Sequence, residues 1–296
     1  MRILYLGLPL GALCLARAGH PPVVAATGHP REPGARRVMH RLGAAGALVL
    51  GRPRLDDAGV RRLLASARPD ALLSFFWPQR IPAELLSPEA APRGAFGVHP
   101  SLLPRWRGPD PCFWTVRCGD TDSGVTLFEL TPDYDRGPIV EQRRVAVAPG
   151  EDAGRLAHRL DRLALELLCG CADRLARGER LEGTEQDEAQ ATEAPQPPDP
   201  DLAIDWHRPA EDIVRLVRAA RPRPGASARL GDRVVEVVAA RVAETPPPAA
   251  LRVAEAWHAP EGLCVRAGEG AVVVERVRTD DGRELSGAEA LAQPLG

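Results

Sequence analysis

The sequence predicts an α/β protein in which a parallel-rich sheet covered by helices is followed by a smaller all-β domain. Three observations support this fold class. Short continuous apolar runs alternate with helix-periodic segments through the first half of the chain. Apolar runs without alternation are typical of parallel strands buried on both faces. Beyond a proline-rich acidic segment, short alternating β patterns with glycine turns indicate a small barrel or sandwich.

Each early element can be placed from its apolar pattern. Strands are predicted at five apolar runs: Ile3–Leu6, Val23–Thr27, Ala47–Leu50, Ala71–Phe76 and Ala95–Val98. Helices are predicted between them at Leu10–Ala18, Gly34–Leu42, Asp56–Ala67 and Pro82–Leu86. Right-handed crossovers between such strands produce a doubly wound, Rossmann-like sheet. Ligands of such sheets bind beyond the carboxyl ends of the strands, so we expect functional residues there.

The later elements set the predicted domain limits. The fifth strand is followed by a predicted helix, two strands and a long amphipathic helix: Pro109–Cys118, Gly124–Leu130, Pro138–Val147 and Asp152–Arg177. They complete a first domain over residues 1–183. Residues 184–203 are polar, acidic and proline-rich, which predicts an extended linker. Residues 204–296 are predicted to form a small C-terminal β-barrel-like (OB-like) domain, entered through an amphipathic helix over Pro209–Ala220.

The composition fits a globular protein and excludes two kinds of site chemistry. Of the 296 residues, 44% are hydrophobic and 26% are charged, and the net charge is −2. A nearly neutral charge disfavours a protein that binds nucleic acid through a broad basic face. The chain contains no lysine and no asparagine. Neither a Schiff-base lysine nor an asparagine amide can therefore act at its site.

The cysteines do not form the spacing of a metal site. Six are scattered along the chain, without paired CxxC motifs, at Cys14, Cys112, Cys118, Cys169, Cys171 and Cys264. We expect reduced, buried thiols, no bound metal and a cytoplasmic location.

The N-terminal stretch MRILYLGLPLGALCLARAGH admits two interpretations. Its early arginine, apolar run and Ala-Arg-Ala triplet resemble a weak signal peptide. A buried strand, a Gly-Leu-Pro turn and a helix explain the same residues, and we favour this interpretation because the pattern continues directly into another strand, VVAAT. No apolar run approaches the about 20 residues of a membrane-spanning helix, so none is expected.

Two motifs carry the chemistry of the sequence. The first is GAFGVHPSLLPRWRG, residues 94–108, in which His99 follows the fifth predicted strand. The second is GDTDSGVTLFELTPDYDRGPIV, residues 119–140, which contains Asp135 and Gly137. Together they resemble the folate-dependent formyltransferases, which include methionyl-tRNA formyltransferase and the amino-sugar formyltransferases. Residues 204–226 resemble the entry to that family's C-terminal barrel, so the resemblance covers nearly the whole chain.

The resemblance implies formyl transfer from 10-formyltetrahydrofolate to an amine, with no metal. The reaction passes through a tetrahedral intermediate in which the formyl oxygen becomes an oxyanion and the amine loses a proton. An imidazole suits this step, because its ordinary pKa of ~6.5 allows both proton states near neutrality. His99 is therefore the expected donor to the oxyanion or proton shuttle, and Asp135 its charged partner or the relay for the amine proton.

The resemblance also implies a folate pocket. The loop SFFWPQRIP, residues 74–82, matches the family's pteridine loop, although Pro78 stands where a glycine is common. The expected pocket residues lie on this loop, on the rigid turn after His99 and on the segment before Asp135: Gln79, Arg80, Ile81, Ser101, Leu102, Leu103, Pro104, Thr131, Pro132, Asp133 and Tyr134.

Gly97 is the departure from the family pattern, which has asparagine two residues before the histidine. Residues i and i+2 of a strand share a face, so that amide would project beside His99. The loss of one oxyanion donor costs about 10²–10³ in rate. Three readings follow: a water or another donor such as Gln79 replaces the amide; an enlarged pocket accepts a different acceptor or permits hydrolysis; or the protein binds folate without turnover.

The acceptor is expected to be a small amine, such as an amino sugar or a biosynthetic intermediate. The segment TGHPREPGARRVMHR, residues 27–41, is shorter than the basic insertion of the tRNA-type enzymes, although its four arginines could contact phosphate. Transfer RNA therefore stays the less favoured partner. GLPLGA after the first strand lacks the Gly-x-Gly-x-x-Gly turn of a dinucleotide site. The sequence does not determine the oligomeric state.

Overall fold

The chain folds into two compact units. The structure is a computed structural model and describes residues 1–28, 34–222, 224–230, 233–279 and 281–292. One unit comprises Met1–Pro111, Ser123–Val145 and His158–Ala194, and the other comprises Cys112–Asp122, Ala146–Ala157 and Pro195–Gly296. The units interleave along the chain, and the domain limits at 183 and 203 stay a prediction.

The first unit is built on a twisted sheet. Its strands are β1 (Ile3–Gly7), β2 (Val24–Thr27), β3 (Leu48–Gly51), β4 (Ala71–Phe75), β5 (Ala95–His99), β6 (Asp122–Glu129) and β7 (Ile139–Ala146). Within the described residues these form one seven-stranded sheet in the order β3-β2-β1-β4-β5-β6-β7. β1 to β5 pair in parallel, and β6 runs antiparallel to β5. The predicted Rossmann-like, parallel-rich sheet is confirmed.

The helices of this half of the chain follow the predicted order. They are α1 (Pro9–Arg17), α2 (Ala35–Ala44), α3 (Ala58–Ser66), α4 (Ala83–Leu86), α5 (Pro111–Cys118) and α6 (Ala153–Ala176). Asp57 caps α3 because its carboxylate accepts hydrogen bonds from the backbone N–H groups of Gly59 and Val60. The N-terminal stretch forms β1 and α1, as the favoured interpretation expects. No helix in the described ranges is long and apolar enough to cross a membrane.

The central strands are buried along their whole length. Every residue of β1, β4 and β5 is buried, which is why these strands read as continuous apolar runs rather than alternating ones. Their register aligns their carboxyl ends: Gly7 pairs with Phe75, and Phe75 pairs with Val98. His99, the last residue of β5, therefore lies at the edge of the sheet where ligands of this fold class bind.

The second unit carries an antiparallel sheet. Its elements are α7 (Ala210–Ala219), β8 (Ala226–Leu230), β9 (Arg233–Val242), β10 (Ala256–Ala259), β11 (Gly262–Arg266), β12 (Ala271–Arg278), β13 (Glu284–Ser286) and α8 (Gly287–Ala292). The strand order is β10-β11-β12-β9-β8, with β13 added to β12. The apolar face of α7 is buried through Ile213, Leu216 and Val217, as predicted. The α/β part followed by an antiparallel β part confirms the predicted fold class.

The cysteine expectation is only partly correct. All six cysteines are free thiols, and Cys112, Cys171 and Cys264 are buried, but Cys118 is exposed at the end of α5. Burial raises the pKa of Cys169 to about 11 and that of Cys171 to about 12. Such thiols stay protonated at neutral pH and are poor nucleophiles. Among the residues that the structure describes, no group of His, Cys, Asp or Glu side chains could hold a metal ion.

Candidate functional site

The fold brings His99 and Asp135 together at the carboxyl edge of the sheet. His99 is only 5% exposed. Its Nδ1 atom lies 3.5 Å from Asp135 Oδ1. Asp135 lies on the loop between β6 and β7, and β6 is the strand that pairs with β5. The two residues that the motifs single out are therefore neighbours because their strands are neighbours.

Each nitrogen of the His99 ring faces an oxygen atom of a neighbouring residue. Nε2 lies 2.9 Å from the carbonyl oxygen of Trp106. A carbonyl oxygen only accepts, so Nε2 carries a proton. The ionised Asp135 carboxylate also only accepts, so the Nδ1 contact is complementary when Nδ1 is protonated as well. Both ring nitrogens of His99 therefore have an oxygen partner in this arrangement.

The loop after His99 is fixed by one threonine and one glutamine. Thr126, the cross-strand partner of His99 on β6, donates to the Ser101 carbonyl oxygen at 2.7 Å and accepts from the Leu103 N–H at 3.1 Å. Gln142 donates to Thr126 Oγ1 and to the Leu103 carbonyl oxygen. The Ser101 hydroxyl in turn donates to the Arg105 carbonyl oxygen at 2.6 Å. These bonds hold the turn that places the Trp106 carbonyl at His99.

The Asp135 loop is held at both its side chain and its backbone. Asp135 Oδ2 accepts from the Gly108 N–H at 2.9 Å. The backbone of Asp135 is left-handed, with φ 54°. A Cβ at Gly137 would collide with the Glu129 carbonyl oxygen, so the loop requires glycine there. The Gln186 amide donates to the carbonyl oxygens of Asp135 and Gly137, both at 2.8 Å.

Arg107 is a buried cation behind this loop. It is 1% exposed, and its guanidinium donates to Gln186 Oε1 and to both carboxylate oxygens of Glu188. The Glu188 carboxylate raises the pKa of Arg107 through these hydrogen bonds, and Arg107 lowers the pKa of Glu188 in return. The two-oxygen geometry is the strongest form of an arginine–carboxylate contact.

Residues 184–194, which we call the support segment, pack along the loop after His99. Thr192 Oγ1 accepts from the Trp106 N–H, and the Thr192 carbonyl accepts from the Arg107 N–H. The Ala194 N–H donates to the Arg107 carbonyl, and the Ala194 carbonyl accepts from the Asp110 N–H. This part of the predicted linker is therefore docked, and Gln186 and Ala194 are buried within it.

The predicted folate pocket has two lips that meet. The Tyr134 hydroxyl lies 3.4 Å from the Pro78 carbonyl oxygen, and the Arg80 guanidinium lies 5.7 Å from the centre of the Tyr134 ring. Tyr134 is 46% exposed. Ile81, however, packs into the apolar core beside Trp77. Thr131 closes its own turn through the Asp133 carbonyl oxygen. The pocket roles of these residues stay predictions.

Two expectations about Gly97 are not supported by the structure. A Cβ at Gly97 would lie 2.8 Å from Leu130 Cδ2 and 3.3 Å from Phe128 Cε1. Apolar side chains of β6 and its end thus border the space beside the glycine, and the structure does not show the enlarged pocket that one hypothesis expects. Gln79 directs its amide to the Pro53 carbonyl oxygen at 3.4 Å, so it does not replace the missing amide beside His99.

Sequence reasoning missed the residues behind the pair. Thr126 and Arg107 fall inside the two motifs, yet their contacts could not be read from them. Gln142 lies on a strand without a functional signal. Gln186 lies in a polar, proline-rich stretch that predicts a linker, and no periodic pattern marks it.

The fold and the site define the class of protein. It is an α/β protein with a histidine–aspartate pair at the carboxyl edge of a doubly wound sheet. A second, antiparallel sheet follows in the chain. The family model for formyl transferase matches residues 16–170, and the model for the formyl transferase C-terminal domain matches residues 199–294. The first match spans just over half of the 296 residues. The chain belongs to the formyl transferase family.

Solved structures share the fold at low sequence identity. HypX from Aquifex aeolicus in complex with tetrahydrofolic acid is 21% identical over 99% of this chain and 47% of its own, with a TM-score of 0.65. This chain therefore spans about half the length of HypX. An N-formyltransferase from Helicobacter canadensis, in complex with folinic acid and dTDP-3-aminofucose, is 11% identical over 92% and 98%, with a TM-score of 0.69. Glycinamide ribonucleotide transformylase 1 from Symbiobacterium toebii is 20% identical over 63% and 95%, with a TM-score of 0.51.

Proposed function

We propose that this protein transfers the formyl group of 10-formyltetrahydrofolate to the amine of a small-molecule acceptor. The observation that carries the proposal is the His99–Asp135 pair, 3.5 Å apart at the carboxyl edge of the sheet. Family membership supports the reaction class. The folate ligands of HypX and of the Helicobacter canadensis enzyme support the co-substrate. No metal takes part in the proposed mechanism.

The proposed reaction assigns one proton-transfer role to His99 and one to Asp135. The amine nitrogen attacks the formyl carbon, and the carbonyl electron pair moves to the formyl oxygen. His99 donates a hydrogen bond or its proton to that oxyanion. Asp135 accepts the proton of the incoming nitrogen, directly or through a water. The intermediate then collapses, the bond from the formyl carbon to N10 of the folate breaks, and N10 takes up a proton. The products are the formylated amine and tetrahydrofolate.

A small acceptor fits the described surface better than transfer RNA does. The Helicobacter canadensis N-formyltransferase is bound to dTDP-3-aminofucose, a nucleotide sugar. The Symbiobacterium toebii enzyme is named as a glycinamide ribonucleotide transformylase. Arg36, Arg37 and Arg41 are exposed on α2, whereas Arg31 lies outside the described residues. Three exposed arginines on one short helix are ordinary for a solvated face, and the net charge of −2 gives no broad basic surface.

Hydrolysis of the folate is the second candidate, and Gly97 favours it. Gly97 supplies no side-chain amide beside His99, and a Cβ there would face Phe128 and Leu130. In this alternative water replaces the amine as the nucleophile, and Asp135 accepts its proton. The products of this alternative are formate and tetrahydrofolate. The third hypothesis is that the protein binds folate without converting it.

One experiment separates these functions. The purified protein is incubated with 10-formyltetrahydrofolate and mixtures of small amines, including nucleotide-linked amino sugars, and the products are followed by mass spectrometry. A product heavier by one formyl group, dependent on His99 and Asp135, supports transfer and identifies the acceptor. Formate and tetrahydrofolate without any formylated amine support hydrolysis. Bound folate that is never converted overturns both enzymatic proposals. Charged initiator tRNA in a parallel reaction tests the less favoured acceptor.

A further inference from the structure

We propose that Gln186 is a positioning residue: its side-chain amide fixes the loop that aims the Asp135 carboxylate at His99. The proposal rests on the proposed function, because it concerns the same pair. Gln186 lies 51 residues after Asp135 in the chain, in the support segment, and its side chain reaches the inner side of the loop.

The hydrogen bonds of the Gln186 amide fix which side carries its oxygen and which carries its nitrogen. Its two N–H donors go to the carbonyl oxygens of Asp135 and Gly137, each at 2.8 Å. Its oxygen accepts from Arg107 Nε at 3.0 Å and from an Arg107 terminal nitrogen at 2.7 Å. Carbonyls only accept and arginine only donates, so a flipped amide would face unfavourable partners on both sides. Gln186 as a whole residue is only 9% exposed, so water does not compete freely for these bonds.

The held loop is one that needs support. Asp135 has a left-handed backbone, which a residue other than glycine adopts at a cost unless its surroundings hold it. The two carbonyls that Gln186 binds belong to Asp135 itself and to Gly137, so they bracket the turn. With these bonds in place, Asp135 Oδ2 meets the Gly108 N–H and Oδ1 faces His99. If the bonds are lost, the backbone can relax and the carboxylate can turn away.

Arg107 orients Gln186, and the same segment orients Trp106. The buried Arg107 guanidinium is itself held by the two oxygens of Glu188. Thr192, in the same support segment, accepts from the Trp106 N–H, and the Trp106 carbonyl lies 2.9 Å from His99 Nε2. One segment thus supports both members of the pair, through Gln186 for Asp135 and through Thr192 for His99.

The test uses Gln186→Glu, because a glutamate keeps the shape and an acceptor oxygen for both Arg107 donors but cannot donate to the two carbonyls. Gln190→Glu is the matched control, since Gln190 is an exposed glutamine of the same segment that bonds Asp187. We expect Gln186→Glu to lower kcat by about 10²-fold, as small misplacements of reacting groups do. The KM for 10-formyltetrahydrofolate should change by less than about two-fold, because substrate binding is retained. Gln190→Glu should leave both unchanged.

A double-mutant cycle separates positioning from general support. If Gln186 acts through Asp135, the double variant Asp135→Asn, Gln186→Glu is no slower than Asp135→Asn alone. The proposal is overturned if the rate loss of the double variant equals the product of the losses of the two single variants. It is also overturned if Gln186→Glu has the wild-type kcat or only a raised KM. Gln186→Leu, which removes both kinds of bond, should show the same dependence on Asp135 if it folds.

A second measurement does not need turnover. The pH titration of the His99 ring is followed by NMR in the wild type, Asp135→Asn, Gln186→Leu and Gln190→Leu, with His99→Gln for assignment. Gln186→Leu removes the amide without adding a charge, so we expect it to move the His99 titration midpoint in the same direction as Asp135→Asn, and Gln190→Leu to leave it in place. An unmoved midpoint in Gln186→Leu overturns the proposal. If the wild type shows no turnover at all, the proposed function fails while this titration still decides the role of Gln186.

Discussion

Two carboxylates in this protein, Asp135 in the first unit and Glu261 in the second, are covered to a similar degree but bonded differently. Their side chains are 16% and 13% exposed. Glu261 accepts from the backbone N–H groups of Glu244 and Thr245 and from Arg241, so both its oxygens are engaged. Asp135 accepts one backbone N–H on Oδ2, and its Oδ1 faces His99 at 3.5 Å. The fully hydrogen-bonded carboxylate of Glu261 stabilises a turn, whereas the role proposed for Asp135 depends on the oxygen that faces His99.

The largest expected effect comes from substituting His99 or Asp135. His99→Ala and Asp135→Asn should each lower formyl transfer by about 10³-fold or more, because a proton-transfer group or the donor to the oxyanion is lost. Tetrahydrofolate release measured under saturating substrate checks this. Glu261→Gln is the carboxylate-to-amide control and should keep wild-type turnover. Full activity in both His99→Ala and Asp135→Asn would show that the pair is not the site.

Removing the buried Arg107 guanidinium is expected to lower the free energy of unfolding. Arg107→Leu leaves the Gln186 oxygen without its donors in a buried position, which should cost about 2–3 kcal/mol of unfolding free energy. Urea unfolding measures it. Arg136 contacts the same Glu188 but is 45% exposed, so Arg136→Leu should cost less than about 1 kcal/mol. Equal losses in the two variants would contradict the assignment of a buried anchor to Arg107.

An asparagine at position 97 would place an amide beside His99, but we expect it to fit only if the neighbouring Leu130 side chain makes room. Gly97→Asn places a Cβ 2.8 Å from Leu130 Cδ2, and overpacking of this kind should cost about 1–2 kcal/mol. Leu130→Ala opens the space, so Gly97→Asn should be less destabilising in the Leu130→Ala background than alone. Activity compared in the same four proteins then shows whether the amide assists transfer. Additive losses of stability would mean that Leu130 does not block the side chain.

The smallest expected effect is an acid-dependent one at the saturated carboxylate. Backbone hydrogen bonds from Thr245 and the partnership with Arg241 lower the pKa of Glu261 to about 2. A lowered folded-state pKa contributes stability above the ordinary glutamate value of about 4.3, and this stability is lost as the pH falls toward 2. Thermal unfolding should separate wild type from Glu261→Gln near neutral pH and bring them together near pH 2 to 3. A gap that widens in acid would contradict this.

The sequence predicts the fold and the two candidate residues because both depend on local patterns. Continuous apolar runs predict β1 to β5, and two ordered motifs lead to His99 and Asp135. Gln186 could not be found in this way, since its importance lies in a contact with a loop 51 residues earlier. Gly97 shows a second limit: the motif reveals a missing amide, but only the packing of Phe128 and Leu130 shows that the space is filled.

The position of the support segment has a consequence for how the site is assembled. His99 and Asp135 are synthesised well before residues 184–194, which supply the bonds to Trp106, Arg107 and the Asp135 loop. A fragment that stops at residue 183 would contain His99 and Asp135 and lack the hydrogen bonds from Gln186 and Thr192. The bonds from Gln186, Thr192 and Ala194 can form only after residues 184–194 have been synthesised.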